Sequence, residues 1–227
     1  MGRGLAIRWI LKHDILIGSR SIEKARQIAE EQENIARGFY QTEIKGSIRG
    51  ELNSDAVKES EIVVVALPSS VIIQTMKDLA KWLHPSQVVL STVVSMKKIK
   101  RLFSYIPLPN EEMRKHKDKS AAEVIQEIVK PTPVVSAFQT VPATYLNNID
   151  SMMNIDVLIA SDSDRAIDRV SRLVSDIPNL RPLRVGPLVN SKLIESLTPL
   201  LLNAAILNNL KEPSIRVVPW MPASLEE

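Results

Sequence analysis

The stretch that decides the fold opens the chain: MGRGLAIRWILKHDILIGSR, residues 1–20. Its first half spaces apolar residues such as Leu5 and Trp9 as an amphipathic helix would, and Ile15 to Ile17 predict a short strand after it. A helix followed by a strand is the second half of a βαβ unit. The strand and glycine loop that would normally precede such a helix have no residues in this stretch, so either the protein does without them or the given sequence starts too late.

The composition is that of an ordinary globular protein. The chain has 227 residues, of which 44% are hydrophobic and 24% charged, so it is long enough to bury a core. It has no cysteine, which excludes disulfides and thiolate metal sites, and its three histidines are isolated, so we predict no metal site. No apolar run approaches the ~20 residues of a membrane span. We expect a cytoplasmic protein that binds neither membranes nor nucleic acid, because its net charge is only +3 and the basic run 114–119 reads as a solvated loop.

Helical and strand patterns alternate along the rest of the chain. Helices are predicted over 21–37, 54–60, 71–83, 120–129, 165–174 and 190–210, and strands over 43–48, 61–67, 87–91, 134–138, 156–160 and 182–185. The run from Glu61 to Leu67 is β-branched without alternation, which favours a parallel strand buried on both faces. We therefore predict a doubly wound, Rossmann-type α/β domain over 1–185 that lacks its first strand, with a C-terminal helical segment over 186–227.

The carboxyl ends of the predicted strands are the places where ligands bind in open α/β sheets. The first of these ends carries Ser19 and Arg20, with Lys24 one helical turn later. A serine and an arginine at this position suit the 2′-phosphate of NADP, whereas a carboxylate would suit the 2′-hydroxyl of NAD. An ordinary loop arginine remains the alternative reading of Arg20. Because the sequence shows no acid–base or nucleophile set, we expect no catalytic side chain and infer that cofactors carry the chemistry.

The chain resembles the NADPH–coenzyme F420 oxidoreductases, enzymes that pass hydride between a deazaflavin and NADP. The most specific match is the segment from Asn190 to Leu200, which keeps a proline inside a long helix. The other matching segments are Gly2-x-Gly4-Leu5-Ala6, Gly18-Ser19-Arg20 with Lys24, Leu67-Pro68, Ser91 to Val94, Ser120 to Glu123, Val135 to Ala137, Thr140 to Ala143, Leu180 to Leu183 and Gly186 to Leu188.

The resemblance implies two binding regions and a homodimer. NADP would lie along one set of residues: Gly2, Ser19, Arg20, Lys24, Leu67, Pro68, Ser69, Val94 and Ala137. Coenzyme F420 would occupy a pocket lined by a second set: Gln139, Thr140, Pro142, Asn190 and Glu195. The apolar face from Leu197 to Leu210 would form the dimer interface, although core packing explains it equally well.

Three features depart from the family pattern. Gln139 stands where we expect the family to have histidine, and Ser69-Ser70 stand where we expect a bulky aromatic and a histidine. The third departure is that the glycine fingerprint of the family would end near Gly2, with its first strand upstream of Met1.

Three hypotheses follow from these departures. The first is an NADP- and F420-dependent reductase whose given sequence is truncated at its start. The second is a reductase of the same fold with another hydride acceptor. The third is a non-catalytic relative that lost its nucleotide loop. If the chain is ordered as given, the sheet should have a gap, or a foreign strand, between residues 15–18 and 62–67, because the absent strand is central in this fold.

Overall fold

The computed structural model describes residues 1–40, 43–107 and 119–218, so most of the basic run 114–119 and the end of the tail lie outside the described residues. Eight helices occur in the described parts: α1 Gly2–Trp9, α2 Ile22–Tyr40, α3 Asn53–Glu59, α4 Ile72–Ala80, α5 Ala121–Val129, α6 Ala143–Asn147, α7 Asp164–Ser175 and α8 Ser191–Asn208. Nine strands accompany them: β1 Ile15–Ser19, β2 Ile48–Leu52, β3 Ile62–Val65, β4 Val88–Ser91, β5 Met96–Ile99, β6 Leu102–Tyr105, β7 Val134–Ser136, β8 Ile155–Ile159 and β9 Leu180–Arg184.

Parallel pairing dominates the sheet, as predicted. β1 pairs with β2, β3 with β4, β4 with β7, and β8 with β9, all in parallel. A single antiparallel bridge between Ser136 and Ala160 links β7 to the end of β8. The hairpin of β5 and β6 is an antiparallel ladder, the one such ladder among the described residues. The doubly wound α/β architecture is therefore confirmed.

Helices cover both faces of the three-stranded ladder β3-β4-β7. Val88, Leu90 and Val135 point toward α1 and α7, where they pack with Leu5 and Trp9. The alternate residues Val89 and Val134 point the other way, into a cluster with α4 and α5. Burial on both faces explains why these strands are continuous runs of branched apolar residues.

The predicted gap in the sheet is present. β1 belongs to one ladder and β3 to another, and among residues 1–40, 43–107 and 119–218 no strand pairs with the edges that face each other. The residues of β3 are mostly half-buried, whereas all four residues of β4 are buried between two partners. β1 and β3 therefore each present a free edge of backbone N–H and C=O groups.

One predicted strand was misplaced, and two elements were not predicted. The second strand runs over Ile48–Leu52 rather than 43–48, because Gly50 lets β2 approach α2 closely: a Cβ on Gly50 would lie 2.3 Å from the backbone of Ala25. The hairpin β5–β6 was not predicted at all, because its outward side is a run of lysines rather than an alternating apolar pattern. The short helix α6 was missed as well.

Within the described parts of the chain, no helix is long and apolar enough to cross a bilayer. No group of three or more histidine, aspartate or glutamate side chains is placed to hold a metal ion among those residues either.

Candidate functional site

The carboxyl end of β1 brings together a hydroxyl and two cations. Ser19 ends the strand, and its Oγ accepts a hydrogen bond from the backbone N–H of Ser21 at 3.3 Å, which leaves its hydroxyl proton available to a ligand. Arg20 and Lys24 are exposed, and neither side chain has an ion-pair partner among the described residues. The Ser21 hydroxyl begins α2 by accepting from the backbone N–H of Lys24 at 3.3 Å. Two exposed cations without a carboxylate partner among the described residues therefore stand at this strand end, where an anion could be bound.

The nearest carboxylate to this anion site is already engaged. Glu23 accepts a hydrogen bond from the Ser21 hydroxyl at 2.7 Å, and this bond is the main cause that lowers the pKa of Glu23. The carboxylate is thereby directed at Ser21 and makes no ion pair with Arg20 or Lys24.

The end of β3 lies beside the start of α1. A Cβ on Gly2 would stand 3.4 Å from the Cβ of Ala66, which follows β3. Beyond Ala66 the chain exposes Leu67 and Pro68, and Ser69 begins a short 3₁₀ turn that leads into α4. The first turn of α1, with its free backbone N–H groups, therefore sits at the carboxyl edge of the sheet.

The ends of β4 and β7 converge on buried residues. The Ala137 backbone N–H donates to the Ser91 carbonyl at 3.1 Å, which ties the two strand ends together. Phe138 follows in the left-handed region with φ 73°, although it is fully buried. A bulky residue held at positive φ stores strain, and such strain concentrates at functional sites. Val94 is half-buried where the chain leaves β4.

Gln139 is held by one end of its amide. Its Nε2 donates to the Ser91 carbonyl and to the Ser136 hydroxyl, both at 2.9 Å, while its Oε1 has no partner. The Ser91 hydroxyl is likewise buried without a hydrogen bond. Buried polar atoms are nearly always paired, so two unpaired ones at adjacent strand ends mark a place where a ligand can supply the missing groups.

Helix α8 packs against this region through polar contacts. The Thr198 hydroxyl donates to the Gln139 carbonyl at 2.8 Å, and the Ser191 and Ser120 hydroxyls lie 2.6 Å apart. Glu195 is completely buried, and its two carboxylate oxygens accept the backbone N–H groups of Ala121 and Ala122, each at 3.2 Å. Burial raises the pKa of Glu195 to about 8, against the lowering effect of these two hydrogen bonds. Glu195 thus caps the start of α5 from a neighbouring helix.

The remaining predicted site residues make internal contacts. Asn190 donates from Nδ2 to the Val185 carbonyl at 2.6 Å, Thr140 is buried with its carbonyl accepting from the Ser214 hydroxyl at 2.7 Å, and Pro142 begins α6. Their contact with a substrate stays a prediction.

Sequence reasoning missed Tyr105 and Phe138. The Tyr105 hydroxyl is buried without a partner, and desolvation together with the charges of Glu195 and Glu123 raises its pKa. No sequence signal points to these residues, because an unpaired hydroxyl and a positive φ are properties of the folded chain.

Comparisons with known proteins identify the family of this chain. A family model described as NADP oxidoreductase, coenzyme F420-dependent, matches residues 1–95. The F420-dependent NADP reductase of Methanocaldococcus jannaschii is 33% identical over 221 residues, which span 95% of this chain and 92% of that protein. This chain belongs to the F420-dependent NADP reductase family.

Two further relatives extend the comparison. The F420-dependent NADP reductase of Methanothermobacter marburgensis is 30% identical over 95% of this chain and 92% of its own length. A crystal structure from Arthrobacter sp. FB24, of a protein described as a candidate F420-dependent NADP reductase, superimposes with a TM-score of 0.75 over 95% of this chain and 94% of that one. At 16% identity, that superposition supports the shared fold alone.

Proposed function

We propose that this chain transfers hydride between NADP(H) and coenzyme F420. The observation that carries the proposal is the pair of unpaired cations Arg20 and Lys24 beside Ser19, in a chain that is 33% identical to an F420-dependent NADP reductase. A 2′-phosphate is the anion that a dinucleotide presents at this strand end. The guanidinium of Arg20 offers it forked N–H donors, Lys24 a point charge and Ser19 a hydroxyl.

The other residues of the site would position rather than react. When bound, the nicotinamide and the deazaflavin supply the hydride donor and acceptor themselves. We propose that Val94 and Ala137 form the wall for the nicotinamide half. Leu67, Pro68 and Ser69 would border NADP at the end of β3. Gln139, whose Oε1 has no partner, would accept a hydrogen bond from the deazaflavin or the carboxamide.

The pyrophosphate is the part of NADP for which the sequence shows the fewest binding groups. The sequence contains no Gly-x-Gly-x-x-Gly motif, so the nearest backbone donors are those in the first turn of α1, around Gly2. The changes at Gln139 and Ser69-Ser70 are the observation that favours the alternative of a different acceptor.

A hydride-transfer assay tests the proposal. NADPH and oxidised F420 are mixed with the protein, and bleaching of the deazaflavin absorbance is followed. We expect bleaching with NADPH, whereas no bleaching at saturating cofactor would reject the proposed reaction. Binding of NADPH without bleaching would favour another acceptor, and failure to bind NADPH would favour the non-catalytic relative.

Arg20→Ala tests the NADP site itself. A lost charge-assisted contact is worth roughly 1.5–3 kcal/mol, so the Kd for NADPH should rise about 10- to 150-fold while weak NADH binding stays unchanged. Arg26→Ala removes another exposed arginine of the same helix, α2, and is the matched control. Equal losses for NADPH and NADH would show that Arg20 does not contact a 2′-phosphate.

We also propose that α8 forms a homodimer interface. Leu193, Leu200 and Leu207 repeat every seven residues along the helix, and 67%, 61% and 63% of their surfaces are exposed. A seven-residue repeat places them on one face. Leu200→Glu should convert a dimer to a monomer in sedimentation velocity, and a wild type that is monomeric at micromolar concentration would reject this interface. The domain division at 185/186 and the cytoplasmic location stay predictions.

A further inference from the structure

The hairpin β5–β6 stands at the same edge of the sheet as the candidate site. It begins at Met96, two residues after Val94, and the Ile106 backbone N–H closes its base on the Ser95 carbonyl at 3.2 Å. Its second strand is attached to α8, because the Asn203 side chain accepts from the Phe103 N–H at 2.7 Å and donates to the Phe103 carbonyl at 2.8 Å. The hairpin is thus attached at its base to the end of β4 and at its second strand to α8.

Four cations occupy the outer part of this hairpin. Lys97, Lys98, Lys100 and Arg101 are all exposed, and none of them pairs with a carboxylate of the described residues. The cross-strand partners are uncharged, since Lys97 lies opposite Ser104 and Lys98 opposite Phe103. Lys98 Nζ lies over the ring of Phe103, 5.9 Å from its centroid, while like charges on neighbouring positions of a hairpin oppose its folding, a cost that a bound anion would relieve.

The turn of the hairpin also carries a charged residue, Lys100. Lys100 has φ 56°, in the left-handed region where glycine or asparagine fits best. The chain therefore places a lysine at a position where a smaller residue would make the better turn.

We propose that this basic hairpin binds the anionic side chain of coenzyme F420, namely its phosphodiester and the glutamate carboxylates that follow. The inference rests on the proposed function. A flexible chain of carboxylates that leaves the site at this edge would meet the lysines and Arg101 in succession. The cluster offers no exposed aromatic platform for nucleic-acid bases and only one exposed apolar residue, Ile99, for a lipid surface.

A direct binding assay distinguishes the contribution of the F420 tail from that of the ring system. Fluorescence anisotropy gives the Kd of F420 with a long glutamate tail and of the tail-less deazaflavin chromophore, on the full chain with NADP present. We expect the wild type to bind the long-tailed coenzyme more tightly, and added salt to remove that advantage. In Lys97→Gln/Lys98→Gln/Arg101→Gln the Kd for the long-tailed coenzyme should rise about tenfold, with the Kd for the chromophore unchanged.

A charge-matched control sits at the opposite edge of the sheet. Lys45, Lys81 and Lys130 are exposed and precede β2, β4 and β7 at their amino ends, so their replacement by glutamine removes the same net charge far from the site. This triple variant should bind both ligands as the wild type does. Lys100→Gly relieves the positive φ, so it should keep or raise the Tm while it weakens only the long-tailed coenzyme.

The outcomes distinguish this inference from the proposed function. Equal Kd values for the two ligands, together with normal hydride transfer, would reject the binding of the F420 tail by the hairpin and leave the proposed function in place. No deazaflavin binding at all overturns both. Co-sedimentation of the wild type, but not of the hairpin variant, with phosphatidylserine vesicles, combined with tail-independent binding, would assign the hairpin to a membrane surface instead.

Discussion

Glu195 makes the stability of this protein depend on pH in a direction opposite to that of most carboxylates. The side chain is fully buried, and burial raises its pKa to about 8 from the ordinary value of 4.5, with the charge of Glu123 adding to the effect. The folded state therefore binds a proton that the unfolded state releases at intermediate pH. This stabilisation is complete below the unfolded pKa and is lost as pH rises toward 8.

The structure sets the size of the effect. Each pH unit inside this window changes the free energy of unfolding by at most about 1.4 kcal/mol, so about two units correspond to at most about 3 kcal/mol. For a chain of this length that amounts to a fall in Tm of up to about 10 °C. Glu195→Gln keeps the shape and removes the ionisation, so its Tm should not show this fall.

The Tm of the wild type and the Tm of Glu195→Gln are each measured by thermal unfolding at about pH 5.5 and pH 7.5. The two proteins differ only at residue 195, so the difference between the two slopes isolates Glu195. Glu30→Gln, at an exposed position on α2, is the control and should keep the wild-type slope. If Glu195→Gln loses stability in parallel with the wild type, then Glu195 is ionised throughout and the two N–H groups of α5 outweigh its burial.

Three further predictions concern packing and pairing. Gly4→Ala should destabilise by about 1–3 kcal/mol in urea unfolding, because its Cβ would lie 2.6 Å from the Leu146 Cβ and under 3 Å from backbone atoms. Asp156→Asn should cost about 3 kcal/mol, because the buried carboxylate receives two hydrogen bonds from Arg181 at 2.8 and 2.7 Å. In hydrogen exchange, the β3 amides that face the gap should exchange at least about tenfold faster than those of β4.

Each of these predictions has its own contrary result. Gly2→Ala is the control for Gly4, since its Cβ meets only the Ala66 Cβ at 3.4 Å, and equal unfolding energies for the two variants would contradict the packing argument. An Asp156→Asn protein as stable as the wild type would show that its ion pair with Arg181 is not needed. Equal protection of β3 and β4 would show that the free edge of β3 is covered in solution.

The helices and strands, and the candidate binding residues at the strand ends, can be predicted from short-range sequence patterns. The β-branched run from Glu61 to Leu67 predicted a parallel strand buried on both faces, and β3 is parallel to β4, but three of its four residues are only half-buried beside the gap. The Ser120–Glu123 capping box likewise marks the start of α5, and both of its hydrogen bonds are present. Ser19 and Arg20 could be proposed as an anion site because their position relative to β1 follows from the βα pattern alone. The gap beside β1 was predictable for the same reason.

The tertiary structure decided what depends on distant residues. Glu195 was predicted as a substrate residue from resemblance, yet its contacts are the backbone N–H groups of α5, more than seventy positions away in the chain. The unpaired Gln139 Oε1 and Tyr105 hydroxyl, and the union of the β5–β6 hairpin with α8, arise only when separate elements pack. Periodicity and caps are local and can be read from the sequence by itself. Burial, and hence every pKa and unpaired polar atom, belongs to the assembled fold, because it depends on which segments exclude water together.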